Sequence, residues 1–222
     1  SDYKGFYRRF NEEENFPEMA GKNIRAYFNF KTEENEQLKI KFALSSVSTN
    51  GALNNLETEI PHWSFDKTKE ETQQKWNNEL AKIVVETETI EQKETFYTSL
   101  YHTMLGPIIY EDVDGNYMGL DQNVHKSDGF ENHTVFSLWD TYRALHPLFN
   151  IIQPKRNNDM IKSMLAHHDQ SVHKMLPIWS HYANENWCMI GYHSVSVIAD
   201  AIAKETTDID PSIAFNASKN TA

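Results

Sequence analysis

Two short stretches carry residue types suited to sugar binding or acid–base work. The first is Phe136-Ser137-Leu138-Trp139-Asp140-Thr141-Tyr142-Arg143. On a helix, Trp139 and Arg143 lie four apart and Asp140 and Arg143 three apart, so these side chains share a face. A Trp face stacks on a sugar ring, while Asp and Arg hydrogen-bond pairs of hydroxyls. The plainer reading is a helix-start Asp, a surface ion pair to Arg143 and a buried Trp. Residue types alone weigh the two readings equally. The second stretch is Tyr182-Ala183-Asn184-Glu185-Asn186-Trp187-Cys188-Met189-Ile190-Gly191-Tyr192-His193. Here Glu185 stands among Trp179, Tyr182 and Trp187, just ahead of an apolar helix. Aromatic surroundings desolvate a carboxyl and favour its protonated form, which suits a general acid. A Glu at a helix N-terminus is instead held as an anion by the macrodipole. Acids are common at helix starts, so the residues alone favour this structural reading.

Ten histidines are present, and His167, His168, His173 and His181 crowd one stretch. Zinc hydrolases place their ligands on one helical face, as in HExxH, and that spacing is absent. Ligation by His167, His173 or His181 is a third and lesser reading. Asp112-Val113-Asp114-Gly115 resembles the opening of a calcium loop. Its Gly comes too early and the closing Glu is missing, so it reads as an Asp-capped turn. The surrounding stretch, 111–134, is rich in Asp, Gly and Asn and reads as a long loop, a candidate wall for a substrate site.

The elements that must position these residues change character along the chain. Ile24 to Phe30 and Leu38 to Leu44 alternate with period two, which predicts antiparallel strands with one buried face. Residues 1–60 as a whole read as strands. Residues 66–88 read as a helix capped by Asp66, followed by a short strand at Ile83-Val84-Val85. From about residue 92 the period becomes helical. Phe96, Leu100 and Met104 share a face, and Pro107 closes that helix. Further helices are predicted at 137–152, 155–169 and 188–204, with another starting at Asp210-Pro211. Strands first and helices afterwards mean two modules rather than an alternating α/β sheet. The few strands are too few for a stable sheet alone, and four or five helices make about half of a helical toroid.

Composition narrows the function. The 222 residues carry 21 Lys plus Arg against 32 Asp plus Glu, a formal charge of −11. Acidic residues prevail in both halves, and no basic stripe grips phosphates, which argues against nucleic-acid binding. No apolar run is long enough to span a membrane. Cys188 is the single cysteine, so no intrachain disulfide forms. The start, Ser-Asp-Tyr-Lys-Gly, lacks an apolar signal region. The expectation is therefore an intracellular protein or a trimmed piece of a longer one.

Taken together, these stretches resemble glycoside hydrolase family 92, calcium-dependent exo-acting α-mannosidases. The resemblance runs from about residue 22 to the end. It rests on Asn54-Asn55-Leu56-Glu57-Thr58-Glu59-Ile60, Phe96 to Leu105, Asp112 to Gly115, Phe136 to Leu148, Cys188 to His193 and Val197 to Ala201. It implies an α+β multidomain fold: the end of an antiparallel β-sandwich (1–62), a helical linker (63–91) and about half of an (α/α)6 toroid (92–222). It also implies inverting hydrolysis of α-mannosides, with an α-1,2 preference expected. The family's acid maps onto Glu185, reversing the structural reading of that residue. Asn186-Trp187 stands where a small or polar pair is usual. Trp139, Asp140, Arg143 and His193 are implied as the lining of the sugar pocket. The base Asp and the calcium ligands are expected downstream, with no metal ligands among these residues, so this chain alone is expected to be inactive. The partner is a mannose-containing glycan, and periplasmic or cell-surface placement is expected. The rival reading is a non-catalytic, truncated glycan-binding or interaction module.

Overall fold

The computed structural model describes residues 2–7, 11–14 and 26–222. They fall into two compact units, 1–40 and 41–222. In the first, β1 (Asp2–Tyr7) lies between β2 (Asn11–Glu14) and β3 (Ala26–Asn29) in an antiparallel sheet. Lys4 pairs with Glu14 on one side and with Tyr27 on the other. β3 is the core of the strand predicted at 24–30; Ile24 and Arg25 lie outside the described residues. These three strands form one sheet, and no other described strand joins it.

The strict alternation at Leu38–Leu44 does not become a strand. Leu38, Ile40, Phe42 and Leu44 are 51% to 81% exposed. Period two supplies an apolar face, but a strand also needs a neighbour to take its N–H and C=O groups. No described strand pairs with this segment.

A second departure follows at once. Within the stretch read as strands, α1 (Thr49–Glu59) is helical. Ser48 caps it by accepting the Gly51 N–H at 3.0 Å, the usual satisfaction of an orphan donor at a helix start. In α2 (Phe65–Leu80) the cap is Ser64 rather than Asp66. Asp66 sits in the first turn, where its charge still complements the helix dipole. Ile83-Val84-Val85 forms no strand. It is a turn and extended segment whose Ile83 carbonyl accepts the Tyr97 hydroxyl at 3.1 Å. α3 (Ile90–Thr103) opens with a capping box of Thr89 and Gln92. It ends before Pro107, and Trp76 of α2 meets Tyr101 edge-on at 4.6 Å.

The loop expected at 111–134 is folded into small antiparallel pairs. β4 (Ile108–Ile109) pairs with β7 (His133–Thr134), and β5 (Asn116–Met118) with β6 (Val124–Lys126). Asp112 does open a tight turn, closed by Gly115 N–H on the Asp112 carbonyl at 2.7 Å. Its carboxylate is taken by Ser45 Oγ at 2.7 Å and Asn55 Nδ2 at 2.8 Å.

The predicted helices then follow in order, with shifted ends. Residues 137–152 split into α4 (Leu138–Thr141) and α5 (Leu145–Ile152). α6 spans Pro154–Gln170. α7 (His193–Ala203) starts later than residue 188 because Trp187 and Gly191 have positive φ, of 52° and 149°. α8 (Pro211–Thr221) starts as predicted, with Asp210 accepting the Ser212 N–H at 2.8 Å and Pro211 at the first helical position. Their inner faces bury Phe136, Leu138, Phe149, Met160, Ile161, Met164, Val197 and Ile198 in one core. That layer of helices is compatible with part of an α/α toroid.

Candidate active site

Glu185 stands on a hairpin, not at a helix start. β8 (Ser180–His181) pairs with β9 (Asn184–Glu185), so that Ser180 faces Glu185. Tyr182 and Ala183 make the two-residue turn, with φ of 47° and 60°. A type I′ turn, which matches strand twist, needs positive φ at both central residues, and Asn, Asp or Gly usually fills them. The helix-dipole explanation of Glu185 is thereby corrected: α7 begins at His193, well beyond the carboxylate.

The Glu185 carboxylate is held by backbone donors. Oε2 accepts the Ile178 N–H at 2.9 Å, and Oε1 accepts those of Trp179 at 2.9 Å and Trp187 at 3.2 Å. A carboxylate offers about four acceptor positions. Three are used here, which leaves one position on Oε2 free. Aromatic rings surround the hairpin. Trp179 stacks on His181 with centroids 5.6 Å apart, Tyr182 meets Tyr110 at 5.8 Å, and Trp187 meets His173 at 5.7 Å.

The Phe136–Arg143 motif forms a second group. Trp139 is 42% exposed, so it is not the buried Trp of the plainer reading. Asp140 makes no ion pair with Arg143; it accepts a hydrogen bond from Ser137 Oγ. Arg143 turns to its neighbour, donating to the Tyr142 hydroxyl at 3.2 Å. The Tyr142 ring meets His193 at 4.5 Å. The structure thus joins two predicted residues, Arg143 and His193, through Tyr142, which sequence reasoning did not single out although it lies inside the motif. No hydrogen bond, ion pair or ring contact joins Trp139, Asp140 or Glu185 to that trio. The trio presents hydroxyl, guanidinium and imidazole groups, the donors and acceptors that a polyol needs.

The histidines considered as zinc ligands have separate neighbours. His167 is buried in the helical layer, against Ser180 Oγ at 3.2 Å, and burial pushes its pKa down to about 4. His181 and His173 lie against Trp179 and Trp187. Among the described residues, no three His, Cys, Asp or Glu groups converge as a metal site would require. The nearest approach to a calcium loop, Asp112, spends its carboxylate on Ser45 and Asn55. These residues therefore do not fit a resident calcium ion. A cleft of 340 Å³ lies elsewhere, lined by Trp76, Met104, Ile108 and Arg156 among others, and holds none of the predicted site residues.

Comparison with known proteins gives a consistent picture. A model of the glycosyl hydrolase family 92 catalytic domain matches residues 51–222. Among solved structures, the family GH92 alpha-mannosidase BT3965 from Bacteroides thetaiotaomicron is 53% identical with a TM-score of 0.75. The match covers 80% of this chain and 24% of that one. The same enzyme has been solved in complex with mannoimidazole. A family GH92 inverting mannosidase from the same organism, BT2199, is 31% identical with a TM-score of 0.72, covering 78% of this chain and 23% of that one. A search of curated proteins gives no significant match. The chain spans about a quarter of the length of the solved relatives it matches.

Proposed function

The chain belongs to glycosyl hydrolase family 92, and from that membership we propose that it is part of an enzyme removing terminal mannose from α-mannosides with inversion. The observation carrying this reading is the 53% identity, over 80% of the chain, to an alpha-mannosidase also solved with mannoimidazole. Inversion needs one carboxyl to protonate the departing oxygen and another to activate water, roughly 6.5–9.5 Å away. Glu185 takes the first role. Its backbone clasp holds the carboxyl in one orientation and leaves one position on Oε2 free to face the departing oxygen. Arg143, Tyr142 and His193, together with the exposed Trp139 and Asp140, are proposed to receive the sugar.

The base Asp and the calcium ion implied by the resemblance are assigned to the part of the relatives' length that this chain does not span. Calcium there would help bind and distort the mannose ring. No step carried out by the residues described here passes through it. An α-1,2 preference and periplasmic or cell-surface placement complete the proposal on resemblance alone.

The test is hydrolysis of α-1,2-mannobiose by these 222 residues and by the complete gene product containing them, with and without calcium chelation. Activity is expected only in the calcium-loaded complete product. Glu185→Gln should lower its kcat by about 10²- to 10⁴-fold, the usual contribution of a general acid. Mannobiose binding without cleavage in either form would instead mark a non-catalytic glycan-binding module.

A further inference from the structure

The turn that carries Glu185 is held from outside by two side chains. Tyr182 and Ala183 both have positive φ without being Gly or Asn. Left-handed conformations of ordinary L-residues cost energy and persist only where surrounding contacts impose them. Those contacts come from two other parts of the chain. Thr134, buried on β7, accepts the Tyr182 N–H on its Oγ1 at 2.8 Å. Gln122, in the β5–β6 connection, donates from Nε2 to the Ala183 carbonyl at 2.9 Å. That connection is itself anchored to the end of α6, where Gln170 accepts the Leu120 N–H and donates to the Tyr117 hydroxyl at 2.9 Å. One side chain thus fixes the N–H of the first turn residue and the other fixes the carbonyl of the second. The next residues, Asn184 and Glu185, then leave the turn in a set direction.

We propose that Thr134 and Gln122 are positioning residues for Glu185, clamping the strained Tyr182-Ala183 turn so that the carboxyl is aimed at the glycosidic oxygen. This rests on Glu185 being the general acid. Neither residue need touch the sugar. Freeing the turn lets the hairpin relax and moves the carboxyl, and a shift of about 1 Å in a catalytic group can cost roughly a hundredfold in rate.

The test separates acid placement from general damage by varying the leaving group. Mannobiose needs its departing oxygen protonated, whereas dinitrophenyl α-mannoside releases a stable phenolate that needs no proton. Gln122→Met, Thr134→Val and Thr134→Ser are made in the complete gene product, alongside Glu185→Gln. Gln122 is exposed, so Gln122→Met tests the clamp without opening the core. Expected is a loss of kcat of about tenfold or more on mannobiose for Gln122→Met and Thr134→Val, with under about threefold loss on the dinitrophenyl substrate. Thr134→Ser, which keeps the acceptor, should restore the mannobiose rate. Equal losses on both substrates for Gln122→Met, or no loss on either, overturn the clamp. If Glu185→Gln shows the leaving-group bias while Gln122→Met does not, the positioning role alone fails. If Glu185→Gln shows no such bias, the acid assignment fails and the clamp falls with it.

Discussion

Gly191 stands two residues ahead of His193 with φ of 149°, in a region that L side chains rarely adopt. A Cβ built there would lie 2.2 Å from His193 Nδ1. The glycine therefore does two things at once. It allows the chain to turn into α7, and it lets the imidazole fold back towards Tyr142. Gly191→Ala should move the His193 ring off Tyr142 and raise KM for mannosides in the complete gene product more than it lowers kcat. An unchanged KM would remove His193 from the sugar-binding group. Glu185 teaches a different lesson at this scale. Its residue type and aromatic neighbours were legible in order along the chain. Its three backbone partners were not, because each depends on where a hairpin places N–H groups up to seven residues away.

At the scale of elements, the tie between α1 and the Asp112 turn decides how the start of the second unit is held. Asn55 donates to Leu44 O and to Asp112 Oδ1, and its own Oδ1 accepts the Val113 N–H at 2.9 Å. Both Asn55 and Asp112 are buried. Gly51 brings the helix backbone so close that a Cβ would lie 2.2 Å from Asp112 Oδ2. Asn55→Ala would leave a buried carboxylate oxygen and an amide without partners, at a cost of about 2 kcal/mol. A urea midpoint lowered accordingly, with unchanged dependence on denaturant, is the expected result. A loss within a few tenths of a kcal/mol would mean that water replaces the amide. This tie also gives the Asp112 carboxylate of the Asp-Val-Asp-Gly turn protein partners of its own. One of those partners, Asn55, stands on a helix where residues 1–60 read as strands. Helix starts, in contrast, were readable where capping chemistry is local, as at Asp210-Pro211. The cap of α2 was misplaced by two residues because Ser64 and Asp66 both suit a helix start.

For the whole molecule, charge and burial set the response to acid. His146 and His167 are buried in the helical layer, and burial pushes each from the ordinary value of 6.5 down to about 4. Asp200 fixes the state of His146 through a chain of side chains. Its carboxylate can only accept, so Asn150 donates to it at 3.0 Å, Asn157 donates to Asn150 at 2.7 Å, and His146 Nδ1–H donates to Asn157 at 2.8 Å. His146 Nε2 is left as a buried acceptor without a partner. The folded pKa lies below the unfolded one, so the unfolded chain binds more protons between pH 6.5 and 4. Stability is then full above pH 6.5 and falls as the pH drops towards 4, by about 1.4 kcal/mol per pH unit for each histidine. His146→Gln should flatten that slope in urea unfolding followed across pH 7 to 4; an unaltered slope would show that His146 does not titrate on unfolding. What the sequence by itself determined was whatever is local or strictly ordered along the chain: the change from period two to helical period, the cap at Asp210, the aromatic company of Glu185 and the succession of family motifs. Only the tertiary structure decided the rest. The apolar alternation at Leu38–Leu44 formed no strand, Arg143 chose Tyr142 over Asp140, and the Glu185 hairpin was held by Thr134 and Gln122. The hairpin ties come from partners 48 and 61 residues away in sequence, the Leu38–Leu44 segment finds no described strand beside it, and Arg143 selects among near neighbours by side-chain direction; spacing alone reports which residues are near, not which of them meet.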